Sequence, residues 1–179
     1  MDNGASSYRR FLDGDDSGIV EIIKEYKDGL ILFIDRYVQN IGVAEELCED
    51  VFFRLVTKKP RFTAKYSFKT WLYTVGRNLA ISYLRQRHPG ELTEDTADRA
   101  ALEEEYLRSE QRLELRNALK NINPDYSLVL YLSFFEELSN DEIARVLGKS
   151  KRSVENLLYR AKLALRSELN KEGFIYEDF

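Results

Sequence analysis

The sequence holds one cysteine, Cys48, and one histidine, His88, in 179 residues. A lone thiol cannot close an internal disulfide, and one thiol with one imidazole cannot supply the ligands of an ordinary Cys/His zinc site. No metal and no other cofactor is expected. No apolar run approaches the length needed to cross a bilayer. The first stretch, MDNGASSYRRFLDGDD, is acidic and polar where a secretory signal would be basic and then apolar. A cytoplasmic protein without membrane insertion is therefore expected. Nucleophile elbow, phosphate loop and paired metal ligands are all missing, and His88 lies in His88-Pro89-Gly90, a helix-ending triplet. Neither an enzyme nor a small-molecule substrate is expected. Acidic residues are missing altogether between Val51 and Gly90, and that gap turns attention to charge.

With 44% hydrophobic and 32% charged residues, the chain has enough apolar material for one ordinary domain or two small ones, and too much for disorder. The formal net charge of -4 conceals segregation. Residues 1–90 hold 14 Lys and Arg against 12 Asp and Glu, residues 91–117 hold 4 against 9, and residues 118–179 hold 9 against 10. The acid-free stretch carries Arg54, Lys58, Lys59, Arg61, Lys65, Lys69, Arg77, Arg85 and Arg87. From Lys149 to Arg166, six basic residues stand against Glu155 alone. Attraction of a polyanion depends on local potential rather than on net charge, so two separated basic patches suit DNA. Taken singly, each also suits a solvated helix face.

Apolar residues recur at three and four, the helical period: Ile19, Ile22, Ile23, Tyr26, then Leu30, Phe33, Ile34, Tyr37, then Leu47, Val51, Leu55. The three prolines punctuate this pattern. Lys59-Pro60 ends a helix from about Val43, His88-Pro89-Gly90 ends the next, and Asn123-Pro124-Asp125 starts another with Asn as cap and Pro in the first turn. The section ELTEDTADRAALEEE has few large apolar residues and reads as a flexible acidic linker. The expected fold is all-α: a first helical domain over 1–88, a linker over 89–101, a second helical domain over 102–172, and a tail, 173–179, of no assigned role.

Leu138 to Leu165, LSNDEIARVLGKSKRSVENLLYRAKLAL, is the most informative stretch of the second domain. Ser139 and Glu142 form a capping box that starts a helix at Asn140. Gly148 ends it, and Ser150 caps a longer helix. This is the layout of a helix-turn-helix. On the longer helix Val154, Leu158, Ala161 and Leu165 face the core. Arg152, Glu155, Asn156 and Tyr159 face away, and Lys151, Arg152 and Ser153 occupy the amino-terminal end that such helices direct into the major groove.

Three blocks in order resemble the extracytoplasmic-function group of sigma-seventy-class bacterial RNA polymerase sigma factors. AEELCEDVFFRL (Ala44 to Leu55) is similar to region 2.2 of that family, FKTWLYTVGRNLAISYLRQR (Phe68 to Arg87) to regions 2.3 and 2.4, and the stretch from Ile122 to Leu165 to region 4. The resemblance spans about Ile19 to Asn170. It implies a transcription initiation factor that binds core RNA polymerase and directs it to promoter DNA. The first domain would read and open the minus-ten element, and the second would read minus-thirty-five. It leaves room for an anti-sigma factor as a further partner. A stand-alone helix-turn-helix regulator is the alternative, but it gives no role to the acid-free block or to Ala44–Leu55.

The residues these roles imply are specific. For the minus-ten element they are Lys65, Tyr66, Ser67, Lys69 and Thr70 on a loop and helix start, with Arg77, Asn78 and Arg85 on the helix; opening DNA needs cations for phosphate and aromatic faces for unstacked bases. Phe68, Trp71, Leu72, Val75 and Leu79 form the core stripe of the same helix. For minus-thirty-five they are Lys151, Arg152, Ser153, Asn156, Tyr159 and Arg160. For polymerase they are Glu46, Glu49, Asp50 and Phe53, beside the inward Leu47, Val51 and Leu55. Glu155 and Leu157 stand where the family often has Lys and Arg, which removes two potential phosphate contacts. Gly76 stands where Ala is common, a change expected to loosen its helix by about 1 kcal/mol.

Overall fold

The computed structural model describes residues 3–63, 65–86 and 118–171, and every regular element among them is helical. They fall into two compact units, 3–86 and 118–171. The expected linker, His88, Arg87, the start of the second domain and the tail lie outside the described residues.

The first unit begins with a helix that sequence periodicity does not reveal. Helix α1 (Asn3–Leu12) is short and polar, yet buries Gly4, Ser7, Tyr8 and Phe11. Helix α2 (Ser17–Val38) supplies the centre, with Ile22, Leu30, Phe33 and Ile34 fully buried, and touches α1, α3 (Ile41–Lys58) and α4 (Phe68–Gln86). Full burial of each such side chain contributes about 1.5–3 kcal/mol. Asn40 caps α3 by accepting a 3.0 Å hydrogen bond from the Val43 amide, and Lys59 closes that helix with a left-handed φ of 41°. Leu47, Val51 and Leu55 are buried as the period requires.

Two close approaches fix α1 on α2. A Cβ on Gly18 would lie 2.2 Å from the Ser7 carbonyl oxygen, and one on Gly4 would lie 2.6 Å from the Tyr26 hydroxyl. Arg10 pairs with both Asp15 and Glu21 across the turn. The Tyr8 hydroxyl donates a 2.7 Å hydrogen bond to the Pro60 carbonyl, tying α1 to the segment that follows α3.

In the second unit, residues 118–121 are helical. Helix α5 (Pro124–Leu130) starts at Asn123, whose side chain accepts from the Asp125 amide, with Pro124 in the first turn. It continues into a π-helical turn, Tyr131–Phe135. Helices α6 (Asn140–Leu147) and α7 (Lys151–Lys171) follow. Val129, Leu130, Ile143, Val146, Val154 and Ala161 make the core.

Candidate functional site

Between α3 and α4 the chain runs as a basic loop over an aromatic base. Phe62, Phe68 and Trp71 pack edge-on and tilted against one another with centroids 5.5–5.8 Å apart. Tyr8 of α1 joins them, 5.3 Å from Phe68 and 5.9 Å from Trp71. Trp71 is thus half-buried in a ring cluster, as the core stripe predicts. Lys59 lies over the Phe11 ring at 4.8 Å, which holds its charge at the edge of the same cluster.

Of the eight residues expected to face minus-ten DNA, most are on the surface and two belong to the loop's own framework. Lys65, Asn78 and Arg85 are exposed, while Tyr66, Lys69 and Arg77 are half-buried. Lys65 sits 5.7 Å from the Tyr66 ring, placing a cation and an aromatic face side by side. Thr70 is fully buried. Its hydroxyl is hydrogen-bonded to that of Ser67 at 2.8 Å, and its amide donates to Ser67 Oγ at 3.2 Å. Ser67 is therefore the amino-terminal cap of α4 and Thr70 an internal brace. Placing Thr70 on the DNA-facing surface is corrected: residue 70 falls on the inward side of the first turn.

On α3, Glu45, Glu46, Glu49, Asp50 and Phe53 are all exposed. Phe53 is 65% exposed, and Val56, one turn on, is 42% exposed. The face therefore has an apolar centre bordered by carboxylates. Val56 was missed from sequence, although its spacing of three from Phe53 and its place off the Val51–Leu55 stripe mark it as outward. Cys48 is on the opposite, buried side, where burial pushes its thiol up to about 12.

The helix-turn-helix is built as its caps dictate. Ser139 Oγ accepts from the Glu142 amide, and the Glu142 carboxylate accepts from the Ser139 amide at 3.0 Å. Gly148 ends α6 at φ 63°, and the Lys149 amide donates to the Ala144 carbonyl at 2.9 Å. Ser150 Oγ accepts from the Ser153 amide at 3.2 Å. This fixes the amino-terminal end of α7, whose partial positive charge favours phosphate. Ser150, Arg152, Ser153, Asn156, Leu157 and Arg160 surround one open depression of about 430 Å³. Lys151 is exposed and bonded to Asp141 at 2.8 Å, a partner that raises its pKa; being solvated, the pair exchanges readily for a phosphate.

Tyr159 is not part of that depression. It is 67% exposed and lines a second groove of about 160 Å³ with Phe134, Lys162, Leu163, Leu165, Arg166 and Leu169. Phe134 belongs to the π-helical turn, is 41% exposed, and has Lys162 Nζ of α7 5.6 Å from its ring. Behind it the buried Tyr131 hydroxyl donates to Glu136 Oε1 at 2.8 Å.

Comparison with known proteins agrees with this geometry. The model described as "Sigma-70 region 2" matches residues 22–89, and "Sigma-70, region 4" matches residues 112–165. The chain is 28% identical over 160 residues to the RNA polymerase sigma factor YlaC of Bacillus subtilis, covering 86% of this chain and 92% of that one. To the ECF RNA polymerase sigma factor SigW of the same organism it is 25% identical over 170 residues, covering 87% and 91%. Its fold is similar to that of the sigma factor RpoE crystallised with the anti-sigma factor NepR from Bartonella quintana, with TM-score 0.57, 18% identity and coverage of 84% and 97%. With both region models matched in order and relatives aligned over most of their length, the chain belongs to the sigma-70 family, in its extracytoplasmic-function group of RNA polymerase sigma factors.

Proposed function

We propose that three surfaces divide the work of this chain, which is a transcription initiation factor directing RNA polymerase to promoters. Its partners are core polymerase and promoter DNA. In this reading the first domain, 1–88, uses Lys65, Tyr66, Lys69, Arg77, Asn78 and Arg85 to hold and open the minus-ten region, with Ser67 and Thr70 fixing the loop that carries them. Glu46, Glu49, Asp50 and Phe53, with Val56, meet polymerase. The second domain, 102–172, reads minus-thirty-five with Arg152, Asn156 and Arg160, while Lys151 and Ser153 contact phosphate. The linker, 89–101, lets each domain engage its own element. An anti-sigma factor, of the kind seen with RpoE, would act by covering these surfaces. The factor works in the cytoplasm, and we assign it no catalytic step.

The observation that carries the reading is the doubly capped helix-turn-helix with Arg152, Asn156 and Arg160 around one open depression, on a chain whose other unit offers a basic loop over aromatic rings. Cations at such positions grip phosphate, and Arg and Asn match the edges of guanine and adenine. The stand-alone regulator reading gives no account of the first unit.

The test is a permanganate footprint of the melted bubble beside a selection on randomised minus-thirty-five DNA, both with polymerase. Ala at Lys65, Lys69, Arg77 and Asn78 is expected to abolish melting and leave upstream preference intact. Ala at Arg152 and Asn156 is expected to change upstream preference. Loss of upstream selectivity in the first variant, or a melting defect confined to the second, would reverse the assignment. Failure of the wild-type chain to retain core polymerase would favour the stand-alone regulator.

A further inference from the structure

The groove between the π-helical turn and α7 is a surface without a role in promoter reading as assigned above. Its floor is apolar, from Phe134, Leu163 and Leu169, and its rim carries Lys162 and Arg166. Phe134 is 41% and Leu163 52% exposed, and with Tyr159 they form a contiguous patch on a small domain, the kind of surface that marks a docking site.

We propose that this groove receives the end of the same chain, residues 172–179. These residues read Glu-Gly-Phe-Ile-Tyr-Glu-Asp-Phe and lie outside the described part of the structure. Their chemistry is the complement of the groove. Phe174, Ile175, Tyr176 and Phe179 offer apolar surface for the floor, while Glu172, Glu177 and Asp178, with no basic residue among them, match the cationic rim.

Reach agrees. The described part of helix α7 runs to Lys171, two residues beyond the groove's last lining residue, Leu169. At 1.5 Å per residue, about 18 Å separates Tyr159 from Lys171 along the axis. Eight extended residues span roughly 26–29 Å, so the segment can run back along the whole groove. Covalent attachment at this distance gives the segment a high effective concentration over the groove, so modest affinity suffices for occupancy.

The test uses methyl NMR of the full chain. Replacing Phe174, Ile175, Tyr176 and Phe179 by Ser should move the Leu163, Leu165 and Leu169 methyl resonances and leave those of Val154 and Leu158 in place, which also certifies that the domain stays folded. Lys162→Glu with Arg166→Glu should produce the same change, and adding Glu177→Lys with Asp178→Lys should restore the wild-type spectrum. Tenfold dilution should alter nothing. Superimposable spectra of the Ser variant and the wild type would overturn the proposal, as would groove shifts that fade on dilution, since those would place a second copy's segment in the groove.

Discussion

Gly18→Ala adds a single methyl in the contact between α1 and α2, and it should disturb the loop proposed to hold minus-ten DNA. Gly18 opens the first turn of α2, and the new Cβ would stand 2.2 Å from the Ser7 carbonyl oxygen and 2.9 Å from the Phe11 amide nitrogen, both backbone atoms that no rotamer change can move aside. Reaching ordinary contact at 3.4 Å requires α1 and α2 to part by about 1.2 Å, a gap that forfeits up to about half of the dispersion across an interface. Tyr8 and Phe11 are 1% and 3% exposed. Each is stabilised by about 1.5–3 kcal/mol of burial, so losing half of the pair costs about 1.5–3 kcal/mol, more than the helix-propensity gain of about 1 kcal/mol on replacing glycine. The damage should travel along Tyr8, which bonds to Pro60 and touches Phe68 and Trp71. Trp71 is the chain's one tryptophan, so its emission reports the event without a label. Urea unfolding followed at Trp71 should show the loss of stability and a red-shifted native baseline. Gly42→Ala is the control: its Cβ meets nothing nearer than Asn40 Oδ1 at 3.5 Å, and it should be neutral or stabilising by up to about 1 kcal/mol. Equal midpoints for the two variants would refute the close-approach reasoning.

Reversing Glu46 and Asp50 to Lys should weaken retention of core polymerase while the melting temperature and helicity stay near wild type, because both side chains are exposed; a pull-down paired with a thermal melt checks this, and unchanged retention would remove α3 from the polymerase contact. Phe53→Ser with Val56→Ser should act in the same direction without changing charge, which separates apolar from electrostatic contributions. Single substitution of Arg152 or Asn156 by Ala should cost about 1–3 kcal/mol per lost bidentate base contact, read as altered preference in a minus-thirty-five selection. Stability should also fall in alkali. Burial pushes both the Cys48 thiol and the Tyr8 hydroxyl up to about 12, against unfolded values of about 8.5 and 10. The unfolded chain therefore gives up these protons first, and stability present below about pH 8.5 is lost progressively toward pH 12. Denaturation midpoints across pH 8 to 10.5 should fall for the wild type and fall less for Cys48→Ala.

What sequence alone could yield followed from whether a residue's role was local. Ser139, Glu142, Gly148, Asn123 and Pro124 act within a few residues of themselves, so their caps and turns could be placed before any coordinates, and the structure bears them out. The core stripes of α3 and α7 were legible for the same reason: a period of three and four is a property of one helix. Roles that depend on what another helix brings alongside were not legible. Gly76 looked like a weak point in α4, yet it is buried where a Cβ would lie 2.8 Å from Leu30 Cδ1 and 3.5 Å from Ile34, so its missing side chain is what lets α4 seat on α2. Thr70 looked like a surface hydroxyl because it follows Lys69 in a basic stretch, but the phase of α4 turns it inward toward Ser67. Helix α1 escaped detection because half of what it buries is Gly4 and Ser7, small residues that carry no hydrophobic signal and matter only for how near α2 can come. The same distinction explains Tyr159, which shares a helical face with Arg152 in sequence but in space lines a groove with Phe134, a residue of a π-helical turn that periodicity does not reveal. Close approach and inter-helix phase thus decide which members of the basic block reach the surface, and the separate defects expected of Lys65 and Arg152 on one side and Gly18 on the other measure those two kinds of constraint independently.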